Sequence, residues 1–359
     1  MRIIAITRDL GNDERRQRVV EHLRAKCEIV RLPPRMSGFS RVLNLALSYN
    51  PQRQIWREQS KKNAFFFASM SRGIRRSLAG MGREIGDIVM TFEALFAPGI
   101  GRGMVKPYVI YEDCTSRMTV KRWPSWIPKT ARTPRYRQLE EQCYRSAAHI
   151  FTTSNWVRDS LLSDYGLPVE QVTNVGQGHD LERPAALSPC NGPIVFVGYE
   201  FERKGGPLLL EAFRRILAVH PAARLSIVGA DLSVSIPGVK VYGKVSDKAE
   251  LQGILHNSCM FVLPSIFDPN PHAAMEAMAM GLPVIVSDAC GTQEIIQNEE
   301  SGYVVPVSDV DSLSRCIEKL ITDRGRRQRI GRAGAIKVYE SSDWSLVADR
   351  IADRLSRLK

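Results

Sequence analysis

The sequence predicts a two-domain α/β protein built on parallel sheets, and three observations lead there. The chain has 359 residues, too many for one ordinary hydrophobic core and suited to two. A Pro/Gly-rich stretch, Pro184 to Pro193, divides it near the middle like an interdomain linker. The stretch Phe261 to Asp288, FVLPSIFDPNPHAAMEAMAMGLPVIVSD, reads as one complete right-handed crossover of a doubly wound sheet. In it Phe261-Val262-Leu263 forms a strand stopped by Pro264, and Ala273 to Met280 forms a helix closed by Gly281. Val284-Ile285-Val286 is the next strand. Loops at the carboxyl ends of such strands face helix N-termini and are where these sheets hold phosphorylated ligands. Two acids fall there, Asp268 in the loop and Glu276 one turn into the helix.

Composition is ordinary for a globular chain, 44% hydrophobic and 25% charged. The cysteines number 7 and form no CxxC, so neither a disulfide framework nor a zinc site is expected, and a reducing cytosol fits. The N-terminus enters a strand at once, without a signal-peptide profile, and no apolar run reaches the ~18 residues of a membrane span. The net charge of +12 is lopsided: residues 1–180 hold 29 Lys+Arg against 17 Asp+Glu, and residues 181–359 hold 21 against 21. The asymmetry argues for a polyanionic partner of the first half, against the plain alternative of a solvated basic surface.

In the first half, strands are expected at 2–7, 28–32, 87–91, 107–111 and 149–153, with helices near 14–26, 60–82, 134–148 and after Ser154, a reasonable N-cap. Residues 33–60 form a polar insertion without clear period. The 60–82 helix has Phe67, Met70, Ile74 and Leu78 on one face and Arg72, Arg76 and Arg83 on the other, so it either faces the core or lies on a membrane surface. Asp113, after the fourth strand, either accepts from a ligand hydroxyl or caps a turn. Residues 114–139 hold seven Lys+Arg and no acid, interleaved with Trp123, Trp126 and Tyr136, a mix suited to an anionic lipid interface or a phosphorylated partner.

In the second half, the strand Ile194 to Gly198 leads through Arg203-Lys204-Gly205-Gly206 into a helix with Pro207 in its first turn. A cation and helix N-terminal amides there would suit a nucleotide diphosphate, although such a Lys-Gly turn taken by itself reads as a solvated loop. Strands follow at 224–229 and 239–245, a helix opens at Gly291, two more helices cover 309–322 and 325–339, and 344–358 is a terminal helix.

These segments together resemble the group 1 glycosyltransferases, the retaining family 4 enzymes of the GT-B fold. Glu276-Ala-Met-Ala-Met-Gly-Leu-Pro-Val284 matches that family's donor-sugar signature, with Asp268 where the family usually has Glu and Asn270-Pro271 in place of its Phe-Gly. The Lys204-Gly205 turn matches its second signature, with Tyr199 where an Arg is usual. The resemblance is strong over about 190–340 and weak before it: Gly11 is the only candidate for the family's Gly-rich loop, and no His follows the fourth strand.

The resemblance implies two Rossmann-like domains facing across a central cleft. They would comprise an acceptor domain over 1–185, a nucleotide-sugar domain over 190–340, and a C-terminal helix over 341–359 returning to the first. It implies transfer of a sugar, with retention, from a UDP- or GDP-linked donor to a glycan, lipid-linked or small-molecule acceptor, with no metal and no further cofactor. Glu276 would hold the ribose and Asp268 the donor sugar, with Lys204 and Arg203 on the diphosphate. Gly198, Gly243 and Val245 would border the nucleotide, His272 and Ala273 would lend backbone N–H groups, and Asp113 would stand near the transferred sugar. A cytoplasmic protein is expected, with peripheral attachment to the inner face of a membrane through the basic half left open. A sugar-nucleotide epimerase or phosphorylase of the same fold, or a non-catalytic polyanion-binding protein, are the alternatives. No RNP, helix-turn-helix or zinc pattern supports nucleic acid.

Overall fold

The structure is a computed structural model that describes residues 1–6, 14–81, 87–100, 106–179 and 186–358. It divides into two compact units, Met1–Gly178 with Trp344–Lys359, and His179–Asp343. The division falls at Gly178/His179, ahead of the boundary expected at 185, and Pro184 lies outside the described residues. Residues from 186 onward pack within the second unit, where Ser188 donates its N–H to Met280 O (2.8 Å) and its hydroxyl to His256 O (2.8 Å).

The first unit runs β1 (Arg2–Ile6), α1 (Glu14–Arg24), β2 (Glu28–Leu32), α2 (Gly38–Leu47), α3 (Arg53–Lys61), α4 (Ala64–Gly80), β3 (Ile88–Phe92), β4 (Tyr108–Glu112), α5 (Ser116–Arg122), α6 (Pro134–Arg145), β5 (His149–Thr152), α7 (Asn155–Tyr165) and β6 (Val172–Asn174). All strands pair in parallel, in the order β2-β1-β3-β4-β5-β6. β3, β4 and β5 are buried throughout, which is why they read as unbroken apolar runs.

Residues 33–60, the polar insertion without a clear period, contain the whole of α2 and most of α3. Of the two settings left open for the helix near 60–82, α4 takes the core. Phe66, Phe67, Met70, Ile74 and Leu78 are buried, so it has no apolar face to offer a membrane, and Arg83 lies outside the described residues. The basic stretch 114–139 is also largely occupied within the unit. Arg117 pairs with Glu141 (2.7 Å) and stacks on the Tyr165 ring, Lys121 pairs with Asp164, and Arg132 and Arg137 donate to the carbonyls of Ile127 and Arg132.

The second unit runs β7 (Ile194–Val197), α8 (Gly206–Val219), β8 (Leu225–Val228), β9 (Val239–Gly243), α9 (Lys248–His256), β10 (Met260–Leu263), α10 (His272–Ala279), β11 (Val284–Ser287), β12 (Tyr303–Val305), α11 (Val310–Thr322) and α12 (Arg324–Ser341). Its strands are again parallel, in the order β12-β11-β10-β7-β8-β9. The segment from Gly291 is a short 3-10 turn rather than the helix expected.

The chain then returns to the first unit as α13 (Trp344–Ser356). Trp344, Val347, Ala348, Ile351 and Leu355 join a core with Ile3, Ala5, Val19, Val20 and Leu23. Lys26–Asp349 and Arg350 to Val175 O (2.8 Å) fasten the rim of that contact.

Candidate active site

The order of the second sheet reverses between β10 and β7, and the loops leaving the carboxyl ends of these two neighbours open a crevice of the kind that binds nucleotides. The first loop, Gly198 to Gly205, is short because it is tightly wound: Lys204 N–H donates to Glu200 O (2.9 Å), Gly205 N–H to Glu202 O (3.0 Å) and Gly206 N–H to Phe201 O (2.8 Å). Gly205 sits at φ +75°, and a Cβ there would stand 1.8 Å from Pro264 O. Only glycine lets this loop cross the second one so closely. At Gly198 the absent side chain leaves room for the Lys204 stem, whose Cδ would be 3.1 Å from a Cβ.

The second loop, Pro264 to Pro271, is held on both sides. Ile266 N–H donates to Arg203 O (2.9 Å), Asp268 N–H to Ala289 O (2.9 Å), and Gly291 N–H to Asp268 O (2.9 Å). This fastening buries Asp268 to 4% exposure and aims its carboxylate at the first loop, where Lys204 Nζ donates to Oδ2 at 2.6 Å.

Arg203 is 5% exposed and turned inward. It binds Glu200, donates to Phe267 O (2.6 Å) and stands 3.7 Å from Asp268 Oδ1. Its position is that of a strut between the two loops.

Both helices that start at this crevice lack a side-chain cap. Gly205 stands at the cap position of α8 and Pro271 at that of α10; α3, with Gln52 at its cap position, also lacks a side-chain cap bond, whereas α4, α5, α6, α7, α9, α11 and α12 are each capped by a side chain. Uncapped N-terminal amides with the positive end of the helix dipole favour an anion. His272 and Ala273 lie in the first turn of α10 and are half-buried, as is Glu276 one turn on; against the expectation that His272 lends its N–H to a ligand, that group donates to Asn270 O (3.1 Å), because the loop turns tightly at Pro271. Asn270 Oδ1 is buried with no hydrogen-bond partner among the described residues. Gly243, at φ +64°, accepts from Gly229 N–H (2.7 Å) at a register shift between β8 and β9, and the Val245 side chain packs into the core.

Asp113 belongs to the first unit and lines a cavity of about 340 Å³ there, together with Arg16, Lys62, Glu93, Glu112 and Glu140. Glu93, Glu112 and Glu140 were not singled out from sequence. Glu112, at the end of β4, is 2% exposed and accepts from Ala94 N–H (3.0 Å) and Tyr144 Oη (2.9 Å). Burial first, and then the charges of Asp113, Glu93 and Glu140, push its carboxyl well above the usual range. Glu140 on α6 accepts from Tyr165 Oη (2.5 Å) and from the Ser116 hydroxyl, and burial raises its pKa too. Gly11 lies outside the described residues.

Two parallel six-stranded sheets with flanking helices, the second reversing its order between β10 and β7, define a two-unit α/β fold of GT-B type. Residues 191–337 match the family model described as glycosyl transferases group 1. Over 229 residues the chain is 27% identical to the glycogen synthase of Mycobacterium tuberculosis (strain CDC 1551 / Oshkosh), covering 60% of this chain and 55% of that protein. It spans a little over half the length of the curated relatives it matches. Two solved structures show the same fold end to end. The sucrose-phosphate synthase from Thermosynechococcus elongatus has a TM-score of 0.71 at 18% identity, covering 100% of this chain and 99% of that one. Anabaena HepE in complex with UDP has 0.69 at 14%, covering 99% of each.

Proposed function

We propose that the protein is a retaining glycosyltransferase that moves a sugar from a UDP- or GDP-linked donor to a glycan, lipid-linked or small-molecule acceptor. The observation that carries this reading is the buried Lys204–Asp268 pair at the switch point, flanked by the two uncapped helix N-termini. An anion entering there meets Lys204 and the positive ends of the α8 and α10 helix dipoles. As the bond from the sugar to the diphosphate breaks, charge grows on the leaving phosphate, and pre-set donors stabilise it without having to reorganise.

Lys204 neutralises Asp268 in the structure described here. When the donor binds, the ammonium turns to the phosphate and the carboxylate to the sugar hydroxyls. Glu276 faces the ribose from α10. Arg203 holds both loops in place and leaves the diphosphate to Lys204. In this reading the first unit presents the acceptor, with Asp113 at its cavity, and an anionic membrane surface is its partner. Among the described residues no helix is long and apolar enough to cross a membrane, so the attachment we propose is peripheral, on the cytoplasmic side.

The test is incubation with a panel of UDP-, GDP- and ADP-sugars, following nucleoside diphosphate release with and without lipid extract. Release from one or more donors, with the anomeric configuration kept in the product, supports the reading. Silence across the panel in the presence of acceptor extracts defeats it.

A further inference from the structure

Helix α2 is built inside out. Its inward positions are polar: Asn44 and Ser48 are 4% and 5% exposed and bind Asn63, whose Nδ2 donates to Asn44 Oδ1 (2.9 Å) and Ser48 Oγ (3.0 Å). Asn44 in turn donates to Ser60 O (2.7 Å). This network docks α2 onto the start of α4 with hydrogen bonds where a surface helix ordinarily uses its apolar stripe. The apolar stripe faces out instead. Phe39, Val42 and Ala46 follow 3–4 spacing, with Phe39 79% and Val42 68% exposed and Leu47 beside them at 65%; Tyr49, just past the helix end, is 70% exposed with its ring edge toward Trp56. A contiguous run of large apolar side chains held out in this way marks a contact surface.

Charge tells what meets it. Around the stripe Arg35, Arg41, Arg53, Arg57 and Lys61 are all exposed, and Glu58 is the one acid between residues 33 and 62. A second copy of the chain would set these cations against their equivalents across a two-fold contact, which like charges oppose. An anionic lipid surface takes both features at once, with the apolar side chains entering the acyl boundary and the cations resting on headgroups.

We propose that α2, with the basic face of α3, is an in-plane anchor for anionic membranes. The proposal rests on the transferase reading only for its purpose, which is to bring the first unit to an acceptor at the bilayer surface; the anchor itself stands on the exposed stripe.

The experiment is vesicle sedimentation of the full chain with equal parts phosphatidylglycerol and phosphatidylcholine, compared with phosphatidylcholine alone. Binding is expected only with the anionic vesicles, weakening as salt rises. Phe39→Ser/Val42→Ser should lower the affinity about tenfold or more, since two exposed side chains then have no apolar surface to bury. Arg53→Glu/Arg57→Glu should do the same through charge, and both variants should keep the wild-type melting temperature and nucleoside diphosphate release in vesicle-free buffer. Failure of the wild type to sediment, sedimentation of Phe39→Ser/Val42→Ser like the wild type, or a dimer in light scattering that this variant abolishes without any vesicle binding would each overturn the anchor. Release of nucleoside diphosphate, measured in the same preparations, stands or falls separately.

Discussion

Asp268→Asn is the substitution with the most to say, because this loop acid is sealed into the second unit. Its side chain is 6% exposed and faces two cations, Lys204 at 2.6 Å and Arg203 at 3.7 Å. At an effective dielectric of roughly 20, unit charges at 2.6 Å attract by about 6 kcal/mol, and the desolvation of both groups offsets much of this. Breaking such a pair from one side costs about 3–5 kcal/mol because the remaining charge is left buried without its partner. Asparagine keeps one acceptor oxygen, so the lower end applies. A loss of about 3 kcal/mol should move the melting temperature down by about 6–12 °C.

Calorimetry or circular dichroism on the wild type, Asp268→Asn, Lys204→Met and the double variant checks this. Removing the orphaned ammonium should make the double variant more stable than additivity predicts, by about 1–3 kcal/mol. UDP or GDP should raise the melting temperature of Asp268→Asn by more than it raises that of the wild type, since the diphosphate restores negative charge beside Lys204. A melting shift below about 2 °C, or strict additivity in the cycle, would refute the argument.

Lys204→Ala should slow turnover about 100-fold, as loss of one charge-assisted contact to a developing anion does, and activity within a few-fold of wild type in a donor-saturated assay would remove Lys204 from the diphosphate. Gly205→Ala should destabilise the second unit by about 2 kcal/mol or more, since a Cβ at φ +75° would also stand 1.8 Å from Pro264 O; urea denaturation measures it, and an unchanged midpoint would show that the loops do not cross as described. Glu112→Gln tests the buried acids. The folded-state pKa of Glu112 is raised, so its contribution is fully present below the unfolded value near 4.5 and is lost as pH rises from there toward the folded value. The variant escapes that loss, and its melting temperature relative to wild type should therefore climb between pH 5 and pH 8, whereas a flat or falling difference contradicts the raised pKa.

What could be read in advance followed from local pattern. β10, α10 and β11 were legible because both faces of the two strands are buried and the helix is closed by a glycine at φ +81°. The acid and the cation of the crevice were each singled out, but not their contact: Lys204 and Asp268 are 64 residues apart and meet only because β7 and β10 are neighbours at the reversal of the sheet. Glu112 and Glu140 gave no signal, since their partners Tyr144, Tyr165 and Ser116 come together by tertiary packing. α2 escaped detection for a different reason. Its polar residues occupy the inward positions, so a search for a core-facing stripe finds the wrong face and no partner for it.

The route of the chain also sets a schedule for making it. The second unit is one continuous stretch, 179–343, whereas the first is begun at residue 1 and completed only by residues 344 onward. At roughly 5–20 residues per second, a ribosome spends about 10–30 s between the two parts. During that interval Ile3, Ala5, Val19, Val20 and Leu23 have no α13 to cover them. The nascent first unit is then a sheet with one oily face bare, a substrate for a holdase chaperone, and the second unit is free to finish folding ahead of it. Polar substitutions at Val347 or Ile351 would prolong that exposed state without touching the crevice, and would be felt as poor yield from the cell rather than as poor catalysis.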